Sequence, residues 1–340
     1  MGNRPVTRRR YGPSVPTPPP TRAEVVVVGA GVIGLTTAVV LSSAGWRTEV
    51  WTADDPAETP SARAAAVWTP TPHAPLQTSL TWAARSLQEF CGLSRVPDSG
   101  VTLAEGLTLT ASDTSGHLPA LTRLSPDLRD AARDELPAGF TAGLRYRLPL
   151  IDMDRYVPWL LQRLDTTGGR LRQQRVATLA EPLAAAPVVV NASGLGARDL
   201  TPDPTVRPVF SQYVVTDNPG LDRVVVDTTD SRRWVSVVPH RDRVHLGGVR
   251  VTGRDDERPD RELASDVLRR CRELEPALVD ARVRRIDAGL LPSRPTMRLE
   301  IENLAAGRVV HAYGHASGGV TASWGAAHAV AALVGVPPGP

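Results

Sequence analysis

The chain has 340 residues, enough for one large domain or two smaller ones, with 39 basic against 36 acidic side chains. Five of the basic groups lie in residues 1–22, which hold no acid, so the remainder is slightly acidic and no nucleic-acid surface is expected on it. Every one of the 39 is arginine, which excludes an internal aldimine to pyridoxal phosphate, Schiff-base catalysis by lysine and a Walker-type phosphate lysine.

Residues 1–22 are rich in Pro, Arg and Thr and nearly devoid of apolar groups, so a disordered tail is expected. The run EVVVVGAGVIGLTTAVVL, residues 24–41, follows it. As the core of a signal peptide it would contain three glycines. It is also short for a bilayer span, and charge returns at Arg47 and Glu49. It reads better as strand, turn and helix, in a protein without membrane association and expected in the cytoplasm.

Val25 to Val28 is a β-branched run suited to a strand buried on both faces. Gly29-Ala30-Gly31-Val32-Ile33-Gly34 forms G-x-G-x-x-G, Leu35 to Ala44 suits a buried helix, and Arg47 to Thr52 reads as a second strand. In a dinucleotide site the first glycine allows the tight turn. The second lets a pyrophosphate approach bare backbone, and the third lets helix pack on strand. The helix N-terminus adds N–H groups and a positive dipole end. A ribose-binding acid is expected after the second strand, with Asp54 preferred over Asp55.

Residues 60–70, PSARAAAVWTP, supply small side chains able to lie against a flat ring system. A helix is expected over 79–92, an alternating strand over 101–110 and a capped surface helix over 126–136. Pro149 is expected in a loop, with an amphipathic helix from about Asp154, then short strands in RLRQQRVATL and PVVVNASG. From Val206 to Arg250 four strands follow one another, as in an antiparallel sheet. A charged helix over 260–275, two extended stretches and a small-residue helix end the chain. Cys91 and Cys271 suggest neither a disulfide framework nor a thiolate site. His311 and His315 flank Tyr313-Gly314, where no helix would align them, so no metal is expected.

Several segments together resemble the D-amino acid oxidase family of FAD-dependent oxidases. They are VVVVGAGVIGLTTA, SARAAAVWTP, IDMDRYVPWLLQRL, VVNASGLGARDL, VSVVPHRDRVHLGG, GLLPSRPTMRLE and HAYGHASGGVTASWGAA, in that order over residues 24 to 335. The resemblance implies a Rossmann-like FAD-binding domain with a mixed, largely antiparallel substrate domain. Residues 23–78, 150–205 and 285–335 would bind FAD, and 79–149 and 206–284 would meet substrate. Besides the fingerprint and Asp54, it implies Ser61, Ala65, Ala66, Trp68, Val176 and Ser193 as cofactor contacts. Gly318, Gly319, Val320 and Thr321 would line the flavin pyrimidine edge, where a helix N-terminus favours the reduced, anionic ring. FAD is expected to be noncovalent. The implied chemistry is hydride transfer from the α-carbon of a neutral amine to flavin N5, with O2 as acceptor.

The departures fall at the substrate end. The family holds the substrate carboxylate with an arginine in a GLRP segment, where this chain has Gly289-Leu290-Leu291-Pro292. Ser236 stands where the family has a tyrosine. Ala316-Ser317 replaces two glycines of a YGHGG turn, and Phe210-Ser211-Gln212 replaces an RGQ segment. Leu291, Ser236 and Ser317 are therefore expected at the reacting end, with Arg232 and Arg233 as alternative cations. A carboxylate-masked substrate is expected: an amine, amide, ester or carrier-tethered aminoacyl group in a biosynthetic pathway. A D-amino acid oxidase with rearranged recognition, a silent flavoprotein and a nicotinamide dehydrogenase are the alternatives.

Overall fold

A computed structural model of the chain describes residues 23–69, 73–110, 127–230 and 233–337. The N-terminal tail and Arg232, both singled out above, lie outside the described residues. In chain order, β1 is Val25–Val28, α1 Val32–Ser43, β2 Thr48–Thr52, α2 Leu76–Leu93, β3 Val101–Thr110, β4 Arg129–Asp130 and β5 Ala142–Ile151. Then come α3 Met153–Thr166, β6 Arg170–Gln173, β7 Val188–Asn191, β8 Arg207–Asp217, β9 Val224–Asp227, β10 Val235–Pro239 and β11 Arg243–Thr252. The chain closes with α4 Arg261–Leu274, β12 Val283–Leu304, β13 Gly307–His315 and α5 Gly319–Val334.

All thirteen strands form one sheet, ordered β4-β5-β3-β9-β10-β11-β8-β12-β13-β7-β1-β2-β6. From β13 to β6 the pairs are parallel, and α1 and α5 cover this part. β1 sits at its centre, with all four valines buried, as a parallel strand covered on both faces requires. The remaining pairs are antiparallel apart from β3 with β9. β12 joins the two parts. Its 22 residues pair with β8 up to Ser293 and with β13 from Ser293 onward. At the handover Pro292 lies opposite Pro208, so two residues without N–H groups meet where the ladder is passed on.

Two expectations fail locally. Of the helix expected over 126–136, the described residues 127–136 form none: β4 joins β5 at the sheet edge, and Arg133–Glu135 is a short 3-10 turn. The Glu135 carboxylate accepts from the Ala132 N–H at 2.8 Å and from both Arg129 Nη atoms at 2.7 and 2.8 Å, closing the segment on itself. Pro149 lies in strand β5 opposite Leu103 rather than in a loop. Its carbonyl accepts from the Trp68 N–H at 2.8 Å, so the edge where its own N–H is missing is the one met by the 66–68 segment.

Candidate functional site

A cavity of about 730 Å³ runs along the C-terminal ends of β1, β2, β7 and β13, the place where open α/β sheets take ligands. Gly29 to Ile33 form its floor. Gly29 has φ +108°, and a Cβ there would fall 2.5 Å from the Ala192 carbonyl oxygen. At Gly34 a Cβ would meet the Gly29 oxygen at 1.9 Å, so the third glycine sets how closely α1 lies on β1. Gly31 is the extended N-cap of α1. The first turn of that helix carries no acidic side chain, and the Val32 N–H donates to Ser61 Oγ at 3.1 Å. This is an open, positive helix end facing the cavity.

At one end of the cavity, Asp54 stands exposed beside Arg175, 3.3 Å from its Nη2. Val176 and Ser193 line the wall, and the Ser193 hydroxyl donates to Asn191 Oδ1 at 2.6 Å. At the other end, Ser317, Gly319 and Val320 close the wall next to Leu290, Leu291 and Pro292. The N-terminus of α5 therefore stands beside that of α1, where a Cβ on Gly319 would be 3.8 Å from Val32 Cγ1. Gly318 is buried as the cap of α5, and the Thr321 hydroxyl donates to the Thr69 carbonyl at 3.0 Å, so these two support the turn without lining the cavity.

The 60–68 segment divides in two. Ser61, Arg63 and Ala64 line the cavity, whereas Ala65, Ala66 and Trp68 do not. Trp68 is fully buried and its Nε1–H donates to the Ala83 carbonyl at 3.1 Å, so its ring belongs to the core. Ala66 has φ +44°, and its carbonyl accepts from the Ile151 N–H at 2.8 Å. The Ala65 carbonyl lies 3.2 Å from His240 Nε2. These anchors fix the path of the segment while the smaller residues before it face the cavity.

The expected substrate residues are only partly gathered. Leu291 and Ser317 share the cavity wall. Ser236 is buried on β10 opposite Gly247, where its Oγ and the Tyr213 ring fill the space a Cβ on Gly247 would need. Arg233 turns away. It is exposed, its carbonyl accepts from Arg270 Nη1 at 2.6 Å, and its guanidinium lies 3.8 Å from Asp266. Arg294 is bound to Asp203 at 2.9 Å and Arg298 to Glu300 at 2.6 Å.

Three arginines carry no signal in the sequence pattern. Arg175 pairs with Asp54, and Arg63 donates to the Ala288 carbonyl at 2.8 Å. Arg250 lies opposite Ser211, as Gly289 does on the other side of β8, so all three share the sheet face that carries Tyr213 and Leu291. Its guanidinium sits 5.3 Å from the centre of the Trp234 ring, and it makes no ion pair among the described residues. Burial raises the Tyr213 phenol and lowers His73; the Arg250 charge opposes the first shift and adds to the second. His315, beside Trp82 with ring centres 5.9 Å apart, is held by burial at about 4, hence neutral.

Bare glycine backbone, two converging helix N-termini and a cavity reaching from Asp54 to Ser317 suit a long dinucleotide with a flat ring. Residues 24–333 match the family of FAD dependent oxidoreductases, and the chain belongs to that family. It is similar to the D-amino-acid oxidase of Rubrobacter xylanophilus, 42% identical over 92% of this chain and 96% of that protein. The D-amino-acid oxidase of Streptomyces coelicolor is 44% identical over 91% and 96%, and human D-aspartate oxidase 32% identical over 92% and 94%. Among solved structures, glycine oxidase from Geobacillus kaustophilus matches with TM-score 0.77 at 19% identity over 92% of this chain and 94% of its own. L-proline dehydrogenase from P. horikoshii matches with TM-score 0.78 at 16% identity over 93% and 94%. The protein is thus an FAD-dependent oxidoreductase of the D-amino acid oxidase type, which oxidises amines through a noncovalently held flavin. No helix of the described residues is long and apolar enough to cross a membrane.

Proposed function

We propose that the protein oxidises an amine whose carboxylate is absent or masked, as an amide, ester or carrier-tethered aminoacyl group, in a biosynthetic setting in the cytoplasm. Residues 23–78, 150–205 and 285–335 hold the cofactor, and 79–149 and 206–284 meet the substrate. Gly29 to Gly34 and Ser193 receive the pyrophosphate, Asp54 with Arg175 the ribose end, and Ser61, Gly319 and Val320 the ring. FAD held there would supply a two-electron acceptor for the hydride of the substrate C–H bond; the amine N–H proton would go to solvent, the imine would be hydrolysed by water, and O2 with one hydride equivalent and one proton would leave as H2O2. The chain contributes position, which is worth several kcal/mol of barrier when the reacting atoms are held in line.

The observation carrying this reading is Leu291 on the cavity wall, flanked by Leu290 and Pro292, while Arg63 and Arg294 are engaged elsewhere, with the Ala288 carbonyl and with Asp203. A carboxylate held against this surface would lose hydration without gaining a charged partner. Anaerobic bleaching of the flavin by a panel of D-amino acids and their amides and esters tests it, and faster bleaching by the masked compounds is expected.

A second reading, a D-amino acid oxidase proper with rearranged carboxylate recognition, is supported by Arg250. It is a cation without an ion-pair partner among the described residues, on the sheet face shared with Leu291. The substrates named by the relatives of 42% and 44% identity agree with it.

A further inference from the structure

Ser193 is the inner end of a chain of polar groups that leads from the cavity wall to the surface. Its N–H and its hydroxyl lie 3.3 and 2.6 Å from Asn191 Oδ1. Asn191 Nδ2 lies 3.4 Å from His311 Nδ1, and His311 Nε2 lies 3.0 Å from Glu302 Oε2. Asn191 and His311 are wholly buried side by side on β7 and β13, while the Glu302 side chain is 48% exposed.

One backbone group fixes every polarity in the chain. The Ser193 N–H can only donate, so the Asn191 atom facing it is the oxygen. The Asn191 NH2 therefore faces His311, whose Nδ1 must present a lone pair, and the imidazole proton lies on Nε2, directed at the Glu302 carboxylate. The arrangement is consistent only while His311 is neutral. A second proton would set an N–H on Nδ1 against the Asn191 NH2. Relief requires the amide to turn over, which points its NH2 at the Ser193 N–H and removes the acceptor from the turn.

We propose that Glu302, His311 and Asn191 form a pH-sensitive strut that positions Ser193, so that protonation of His311 loosens the grip on the cofactor. His311 acts through Asn191 and is a positioning residue. The charged groups acting on it are Glu302 and Glu300, which favour the imidazolium, and Arg298, which opposes it; the Tyr313 ring meets it edge-on. Burial outweighs the rest and lowers its pKa, so the neutral strut prevails at neutral pH and fails as the solution turns acidic. The proposal rests on the cavity holding FAD beside Ser193.

The test is flavin retention by the holoenzyme, read as fluorescence of released FAD between about pH 8 and about pH 5. The wild type is expected to lose affinity by about tenfold over this range, the worth of one hydrogen bond. His311→Gln, whose amide can accept from Asn191 and donate to Glu302 but cannot titrate, should remain flat. If the Gln variant keeps the wild-type pH dependence, or the wild type has none, the proposal is overturned. Glu302→Gln covers the case in which His311→Gln does not fold. Loss of the carboxylate disfavours the imidazolium, so the midpoint should move to lower pH, and an unmoved midpoint overturns the strut. Imidazole 15N shifts at neutral pH should show the proton on Nε2 of His311, and a proton on Nδ1 overturns the assignment. Titration of His311 with flat flavin affinity refutes its coupling to the cofactor while leaving the amine-oxidase reading intact. Absence of flavin bleaching by any amine would refute that reading instead.

Discussion

Gly29 and Ala192 approach so closely that a single added carbon on Gly29 would sit 2.5 Å from the Ala192 carbonyl oxygen. Gly31, two residues on, is different: its backbone is extended, and an added Cβ would meet only the Ser61 hydroxyl at 3.3 Å. The two glycines should therefore fail in different ways. Gly29→Ala forces a φ of +108° on a residue with a side chain and drives β1 from β7. A cost of about 3 kcal/mol is expected, read as a lowered denaturant midpoint even in apoprotein. Gly31→Asp should fold with near wild-type stability but purify colourless, because a carboxylate occupies the phosphate position at the helix end. Full yellow colour in Gly31→Asp would place the pyrophosphate elsewhere.

Asp203 ties the segment before β8 to the end of β13. Burial pushes its carboxyl up, but hydrogen bonds from Thr205 and Tyr313 and the Arg294 charge outweigh this and hold it down at about 2. The folded value lies below the ordinary 3.8, so the stabilisation is present above the unfolded pKa and fades as pH falls through the folded one. Its size is about 2 kcal/mol. Asp203→Asn should cost roughly that much at neutral pH, and urea midpoints of variant and wild type should converge between about pH 4 and about pH 2. A constant gap across that range would mean that the loss comes from packing rather than charge.

Trp68 is expected to act on the fold alone. Trp68→Phe keeps most of the buried ring and loses the Nε1–H bond to Ala83, for about 1 kcal/mol. The melting temperature should fall by a few degrees while the visible flavin spectrum stays unchanged. A shifted flavin band would show that the ring touches the cofactor.

The cofactor half was legible because its physics is local. G-x-G-x-x-G between a valine run and a small-residue helix sets turn, approach and packing within twenty residues or so. The places of Leu291 and Ser317 on the cavity wall were legible because each stands beside a glycine or proline that fixes its backbone. Arg250 was hidden by register. β11 pairs regularly up to Leu246 opposite Val214, and the same alignment would put Arg250 opposite Phe210, on the buried core face. A bulge at Gly247-Gly248 shifts it by one, opposite Ser211, and so turns it to the other face of the sheet. No pattern of hydrophobic residues announces such a shift. The same non-local dependence defeated the helix expected over 126–136, since its acids and arginines close on one another at a sheet edge only once β5 is present.

Substitutions at Arg250 and Leu291 distinguish the two proposed substrate readings. With the masked-substrate reading, D-alaninamide should reduce the flavin faster than D-alanine by two or more orders of magnitude in kcat/KM, because a desolvated, unpaired carboxylate costs several kcal/mol. Arg250→Met should then leave both rates near the wild type, since it removes only the stacking of the guanidinium on Trp234. With the second reading the free acid is the better substrate, and Arg250→Met should raise KM for D-alanine by about a hundredfold while sparing the amide, as expected for a bidentate guanidinium–carboxylate pair. Leu291→Arg separates the readings further. It supplies a cation on the cavity wall, so it should improve D-alanine oxidation only if that carboxylate lacked a partner before. Equal rates on acid and amide in the wild type, unaffected by either substitution, would mean that neither residue meets the carboxylate.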